Sequence, residues 1–167
     1  FSASLDGSVR LWSTKRCCCA GCYAFTDLPL WAVALNHYND RFVCSGLGGR
    51  VFVCHTATAT TPERVIGGFR TDVTQLLFSP NDKYFLAAEE SGQVHLIDAV
   101  SGFVQRSVLT ARERRRLYDT HLQVTTVLLV QNGNTLLVGD EQGCVSVFDV
   151  QSGSLCSSTR VCCSVLS

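Results

Sequence analysis

Methionine is missing from all 167 residues, only 3 are proline, and just two, Lys15 and Lys83, are lysine. A translated chain starts with methionine, so Phe1 is not expected to be the natural first residue, and the sequence is read as part of a longer polypeptide. Excess charge of either sign is also lacking: 14 basic and 14 acidic residues give a net charge of zero. No overall field therefore draws the molecule to nucleic acid or an anionic membrane. Long apolar runs are absent as well; stretches such as 127–130 fall far short of a membrane span. There is no Asn-x-Ser/Thr acceptor, and no basic start followed by an apolar stretch of the secretory type. What remains is an ordinary composition, 46% hydrophobic and 17% charged, sufficient for one domain with a real core.

Signatures of catalysis are also wanting. No phosphate-binding Gly-x-x-x-x-Gly-Lys loop occurs, and His37, His55, His95 and His121 have no nucleophile-elbow motif beside them. The glycines of "SGLGG" (45–49) lie between two strands, where they read as a turn. Glu89 and Glu90 resemble paired carboxylates, but neighbours on a strand face opposite ways. No catalytic residue, cofactor, metal or small-molecule substrate is expected. The ten cysteines read as reduced thiols of a cytosolic or nuclear protein, with Cys44 and Cys54 serving as small apolar groups. "RCCCAGC" (16–22) contains Cys17, Cys18 and the pair Cys19-x-x-Cys22. Adjacent strand residues alternate in direction, so only part of this cluster could converge on zinc, and Cys162-Cys163 lacks the spacing of a second pair. Strand and loop cysteines are the reading taken; a zinc protein is the alternative.

One pattern returns along the chain. Gly7-Ser8-Val9-Arg10-Leu11-Trp12 is echoed by Gly49 to Cys54, Gly92 to Ile97 and Gly143 to Phe148, with last positions 42, 43 and 51 residues apart. Two of these spacings match a four-stranded propeller blade, roughly 40–45 residues. Residues 33–56, 76–99 and 127–150 align without a gap, each reading as strand, turn, strand, turn, strand. Their first turns ("HYND", "SPND", "QNGN") have hairpin composition. Third strands alternate, with Val and Leu on one course and Arg, His or Ser on the other. Ser-Gly turns at 101–102 and 152–153 lead into fourth strands.

These residues resemble the WD-repeat family, with Ser4, Asp6 and Trp12 in family positions. Later copies depart from the motif: Cys54, Ile97 and Phe148 replace the Trp, and Gly48, Ser91 and Gln142 replace the turn Asp. The resemblance implies an all-β fold, a partial WD-repeat β-propeller of about three to four blades out of a probable seven. The expected divisions are 1–28 (end of one blade), 29–69, 70–109 and 121–158 (blades), 110–120 (insertion) and 159–167 (start of the next strand).

A narrower resemblance is to the WD-repeat TBP-associated factors of general transcription factor IID. It rests on Leu11-Trp12-Ser13, Tyr23, Pro29-Leu30-Trp31, Arg64, Gly68, Asp72, Val73, Phe78, Pro80, Asn81 and Tyr84, with Phe69 where that family has His. It implies a nuclear, non-catalytic scaffold that holds histone-fold TBP-associated factors. The rival is a WD adaptor of another complex, such as a ubiquitin-ligase receptor or an RNA-processing scaffold. By resemblance, Arg41, Arg70, Glu89, Glu90 and the run Arg112, Arg114, Arg115 and Arg116 fall at blade tips or loops and are the candidate partner contacts. Asp140-Glu141 aligns with Glu89-Glu90, which suggests a recurring acidic rim. The arginine run reads as a solvated loop, with contact to nucleic acid or an acidic partner as the alternative. No sequence-specific nucleic-acid binding and no membrane contact are expected.

Overall fold

The architecture comes from a computed structural model, which describes residues 1–24, 26–58, 61–109 and 124–161. The expected insertion at 110–120 and residues 162–167 lie outside the described residues.

Four antiparallel sheets follow one another along the chain. The first has three strands, β1 (Ser2–Ala3), β2 (Ser8–Ser13) and β3 (Cys18–Ala24). The second is β4 (Leu30–Leu35), β5 (Arg41–Gly46), β6 (Arg50–His55) and β7 (Arg64–Ile66). The third is β8 (Val73–Phe78), β9 (Tyr84–Glu89), β10 (Gln93–Asp98) and β11 (Val104–Leu109). The fourth is β12 (Val124–Val130), β13 (Thr135–Asp140), β14 (Cys144–Asp149) and β15 (Leu155–Arg160). Each sheet pairs its strands in chain order. The fourth sheet runs further than expected: Val145 pairs with Thr159 and Cys144 with Arg160. Thr159 and Arg160 therefore complete β15 and do not open a new strand.

Successive sheets stack face to face, with β8 packed between β4 and β12. Strand geometry sends alternate side chains to opposite faces, and here both faces are covered. Along β5, Phe42 and Cys44 point to the first sheet while Val43 points to the third. Along β9, Phe85 and Ala87 point to the second sheet, Leu86 and Ala88 to the fourth. Three apolar clusters result, one per sheet interface. Cys44 and Cys54 are fully buried in the first. A hydrogen bond between them, reinforced by burial, pushes the Cys44 thiol far above the ordinary thiol range, which leaves it unreactive.

The strands bend at a repeated place. The ladder skips one residue near the start of each innermost strand: Trp31 in β4, Thr74 in β8 and Thr125 in β12. Such a bulge redirects the extra side chain and sharpens the local twist. Turns between second and third strands need backbone conformations that side chains resist. Gly7 has φ +78°, and a Cβ there would lie 2.1 Å from the Thr26 carbonyl oxygen.

The course of the fourth sheet that corresponds to Leu86 and Val94 of the third holds Leu137 and Val145. Leu86 and Val94 are 2% and 1% exposed; Leu137 and Val145 are only partly buried. Leu86→Ala should therefore destabilise the protein by about 2–5 kcal/mol, and Leu137→Ala by clearly less. Urea-denaturation midpoints of the two variants check this. Equal losses would mean that the third and fourth sheets do not pack as described.

Candidate interaction surfaces

Antiparallel connection divides the loops between two ends of the stack. One end carries the turns 5–7, 47–49, 90–92 and 141–143 with the inter-sheet link 67–72. The other carries 36–40, 79–83, 99–103, 131–134 and 150–154. Tight turns leave backbone N–H groups that require acceptors, and at the first end the turns 5–7, 47–49 and 141–143 each find a different carboxylate. Asp6 accepts from the Ser8 N–H at 2.9 Å and hydroxyl at 2.6 Å and from Arg10 at 2.8 Å. The Ser8 bonds, with Arg10 next to them, hold its carboxyl well below the usual range. In the second sheet the aligned residue is Gly48, and the acceptor arrives from the next sheet. Asp72 Oδ1 takes the Gly48 and Gly49 amides at 2.8 and 3.3 Å, and its Oδ2 takes the Trp31 indole N–H at 3.1 Å. Asp140 takes the amides of Gln142 and Cys144 at 3.0 and 2.9 Å.

In the third sheet Glu89 is fully buried and serves the link 67–72, while the Ser91 amide donates to the Thr71 hydroxyl. Glu89 Oε2 accepts from the Arg70 and Thr71 amides at 2.9 and 2.8 Å, the Thr71 hydroxyl at 3.1 Å and the Ser91 hydroxyl at 3.3 Å. Its Oε1 lies 2.5 Å from His95 Nε2. Burial pushes the carboxyl up, but the His95 bond and the Thr71 donors outweigh it and hold it below the ordinary glutamate range. The ionised carboxylate only accepts, so Nε2 carries the proton; Nδ1 stands 2.8 Å from Ser107 Oγ. Phe69 meets the imidazole edge-on at 5.2 Å.

The order serine, histidine, carboxylate is that of nucleophilic triads. Here Ser107 sits exposed on an outer strand, and an acyl-transfer site would need a walled cleft with oxyanion donors. The carboxylate is occupied as a strut between link 67–72 and β10. The second sheet fills the same positions with Gly46 and Phe52, whose ring would lie 3.1 Å from a Cβ added at Gly46. A buried carboxylate–imidazole hydrogen bond and a small–large apolar pair thus serve equivalent places.

These positions revise several expectations. Glu89 is not part of an acidic rim: its five hydrogen-bond donors keep it inside, out of reach of a partner. Arg70 is exposed and Glu90 half-buried at the same end. Arg41 lies at the opposite end, its guanidinium 3.7 Å from Glu63 and 3.5 Å from the Ala99 carbonyl. Arg112, Arg114, Arg115 and Arg116 lie outside the described residues. Trp12 donates its indole N–H to the Ser2 hydroxyl at 2.9 Å. Cys17, Cys18, Cys19 and Cys22 are exposed on and beside β3; the Cys17 and Cys19 thiols turn to the Thr14 and Gly21 carbonyls. Among the described residues no group of three or more His, Cys, Asp or Glu is placed to hold a metal ion.

Sequence reading missed Trp31 as a surface feature. The indole is 44% exposed, with Leu5 (64%) and Leu47 (41%) exposed at the same end. Backbone bonds from Leu30 to Ser4 and from Leu47 to Pro29 draw their chain segments together. The bulge turns the ring outward and Asp72 pins it, which makes a rigid aromatic with one polar handle.

Stacked antiparallel meanders with a repeated turn define the class: the fold is that of a β-propeller, of which four sheets are described. Residues 60–98 match the family model described as WD domain, G-beta repeat. That stretch runs from ahead of β7 through β10, so the sequence unit is offset by one strand from the sheet. No curated protein sequence matches the chain. Among solved structures, the chain is similar to the β-propeller domain of Cps50 (Swd1) from Myceliophteria thermophila. The two share 18% identity with a TM-score of 0.78, over 95% of this chain and 50% of that one. The chain thus spans about half the length of that propeller. In all, 1354 chains of solved structure match, so this likeness identifies an architecture and not a role.

Glu89→Gln should cost about 1–3 kcal/mol at pH 7. The depressed carboxyl of Glu89 contributes stability that is fully present above the unfolded value, about 4.3. That contribution is lost as the pH falls through the lower folded value. Urea midpoints measured from pH 7 to pH 3 should therefore fall less steeply for the variant than for the unaltered protein. Parallel curves would show that Glu89 is not ionised in the folded protein.

Proposed function

We propose that the chain is a non-catalytic platform for protein–protein interaction, with Trp31 as an anchor for a partner. The supporting observation is the fixed, half-exposed indole: a preset aromatic contributes contact area without losing much rotamer entropy on binding, as the dominant residues of interfaces do. A platform requires rigidity, and the carboxylate caps on the surrounding turns supply it.

The finer reading is a structural subunit of general transcription factor IID, or of a related coactivator complex, that holds histone-fold TBP-associated factors in the nucleus. It rests on the resemblance at Leu11-Trp12-Ser13, Tyr23 and Pro29-Leu30-Trp31, of which Trp12 and Trp31 present exposed rings. A WD adaptor elsewhere would share the platform and differ in partners.

Affinity purification of the tagged protein from nuclear extract, followed by mass spectrometry, tests both levels. Histone-fold TBP-associated proteins in near-equal amounts are expected. Cullin adaptors or RNA-processing factors in their place would end the transcription reading and leave the platform. Trp31→Ala should lower partner recovery about tenfold or more, in line with loss of a hot-spot residue, with an unchanged circular dichroism spectrum. Full recovery would remove Trp31 from the interface.

A further inference from the structure

At the end of the stack opposite Trp31, a groove of about 340 Å³ opens between the third and fourth sheets. Its size is that of ligand sites, roughly 300–1,000 Å³. Leu96 and Val150 supply apolar lining, and polar side chains supply the rest. The carboxamides of Asn132, Asn134 and Gln151 line it with no hydrogen-bond partner among the described residues. Asn81 engages its Oδ1 with Ser79 and Lys83 and leaves its Nδ2 unused. Tyr84 closes one wall through a 2.7 Å bond to the Gly133 carbonyl.

Among the described residues, Arg106 is the one charged side chain in the lining. One guanidinium nitrogen donates to the Gln151 carbonyl, and its stem lies over Gly153, where φ is +68° and a Cβ would come within 2.8 Å of Arg106 Cδ. The arginine is thus held in place with most of its donors unengaged. The neighbouring acids do not neutralise it fully. Asp98 and Asp149 direct Oδ1 into their own turns, toward Ser101 and Ser152, and Gln105 takes the second oxygen of Asp98. The loop forming the far wall is strained: Gln131, Asn132 and Gly133 have φ of 51°, 55° and 90° in succession, a conformation that concentrates at functional sites.

We propose that this groove takes an extended peptide segment bearing a carboxylate. Arg106 holds the carboxylate through charge-assisted hydrogen bonds, and the free carboxamides pair with the backbone N–H and C=O groups of the segment. Carboxamides both donate and accept, so a row of them suits a peptide backbone better than it suits an inorganic anion. The inference rests on the platform reading and gives it a second surface, remote from Trp31.

The test uses N-acetylated, C-amidated pentapeptides Gly-Ser-X-Ser-Gly, with X as Glu, Gln or Lys, titrated into ¹⁵N-labelled protein. Binding of the Glu peptide should move the side-chain amide resonances of Asn132, Asn134 and Gln151. It should be about fivefold or more tighter than binding of the Gln peptide, the discrimination that one charge-assisted bond provides. Arg106→Gln should abolish that preference. Because Arg106 also packs on Gly153, Asn134→Asp provides a second check: it breaks no protein hydrogen bond, places a negative charge in the groove, and should weaken the Glu peptide while sparing the Gln one. Equal affinity for all three peptides, or unmoved amide resonances, would overturn the proposal. Either failure alongside intact partner recovery in the Trp31 experiment would overturn the groove and leave the platform standing.

Discussion

The carboxylate of Asp72 ties three things that a propeller has to hold together. It begins the third sheet, closes the turn of the second through the Gly48 and Gly49 amides, and fixes the bulged Trp31 by its indole N–H. Apolar packing between sheets has no direction and does not by itself set how one blade is rotated against the next. A charge-assisted bond across the interface does set it, and such bonds are the short, strong ones. The turns 5–7 and 141–143 are capped from within their own sheets, by Asp6 and Asp140, and Glu89 takes the link amides of Arg70 and Thr71. The recurring requirement is an acceptor for turn and link amides, and four different carboxylates satisfy it.

Two-faced sheets explain the rest of the pattern. A strand whose two faces both meet a neighbour carries apolar residues on both courses, as β5 does with Phe42, Val43 and Cys44. A strict apolar–polar alternation survives only where one face meets water. His95 occupies a course that reads as polar, yet the second sheet covers it, so its hydrogen-bond partner Glu89 is buried with it. Breaking such a pair is costly because the remaining group is stranded in a dry interface. That makes the Glu89 network a rigid strut, and rigidity is what presents the loops at either end in fixed positions.

The architecture was legible in the sequence for a physical reason. Each hairpin demands Asn, Asp or Gly at its turn, each third strand starts from glycine, and these markers recur at nearly constant spacing. The interaction surfaces were much less legible. Glu89 reads as a turn charge because its donors come from Arg70, Thr71, Ser91 and His95, and no local pattern joins a glutamate to a threonine 18 residues upstream. Trp31 was visible as part of a motif, but its exposure follows from a bulge that only pairing reveals. The Arg106 groove draws on Asn81, Asn132 and Gln151, which meet only when two sheets stack. Ser2 and Ser4 illustrate the finest limit: Ser2 lies in β1 and Ser4 just after it, and only register decides which one bonds the indole.

Amide hydrogen exchange at Gly48 and Gly49 in Asp72→Ala is the most direct test of this account, with Gly7 as an internal control. If one carboxylate from the third sheet holds the turn of the second, protection at Gly48 and Gly49 and at the Trp31 indole should fall about tenfold or more, as local opening becomes easier. The Gly7 amide, in a turn capped by Asp6, should be unaffected. Unchanged protection at Gly48 and Gly49 would contradict the account and mean that the Asp72 carboxylate does not set the relation between the sheets.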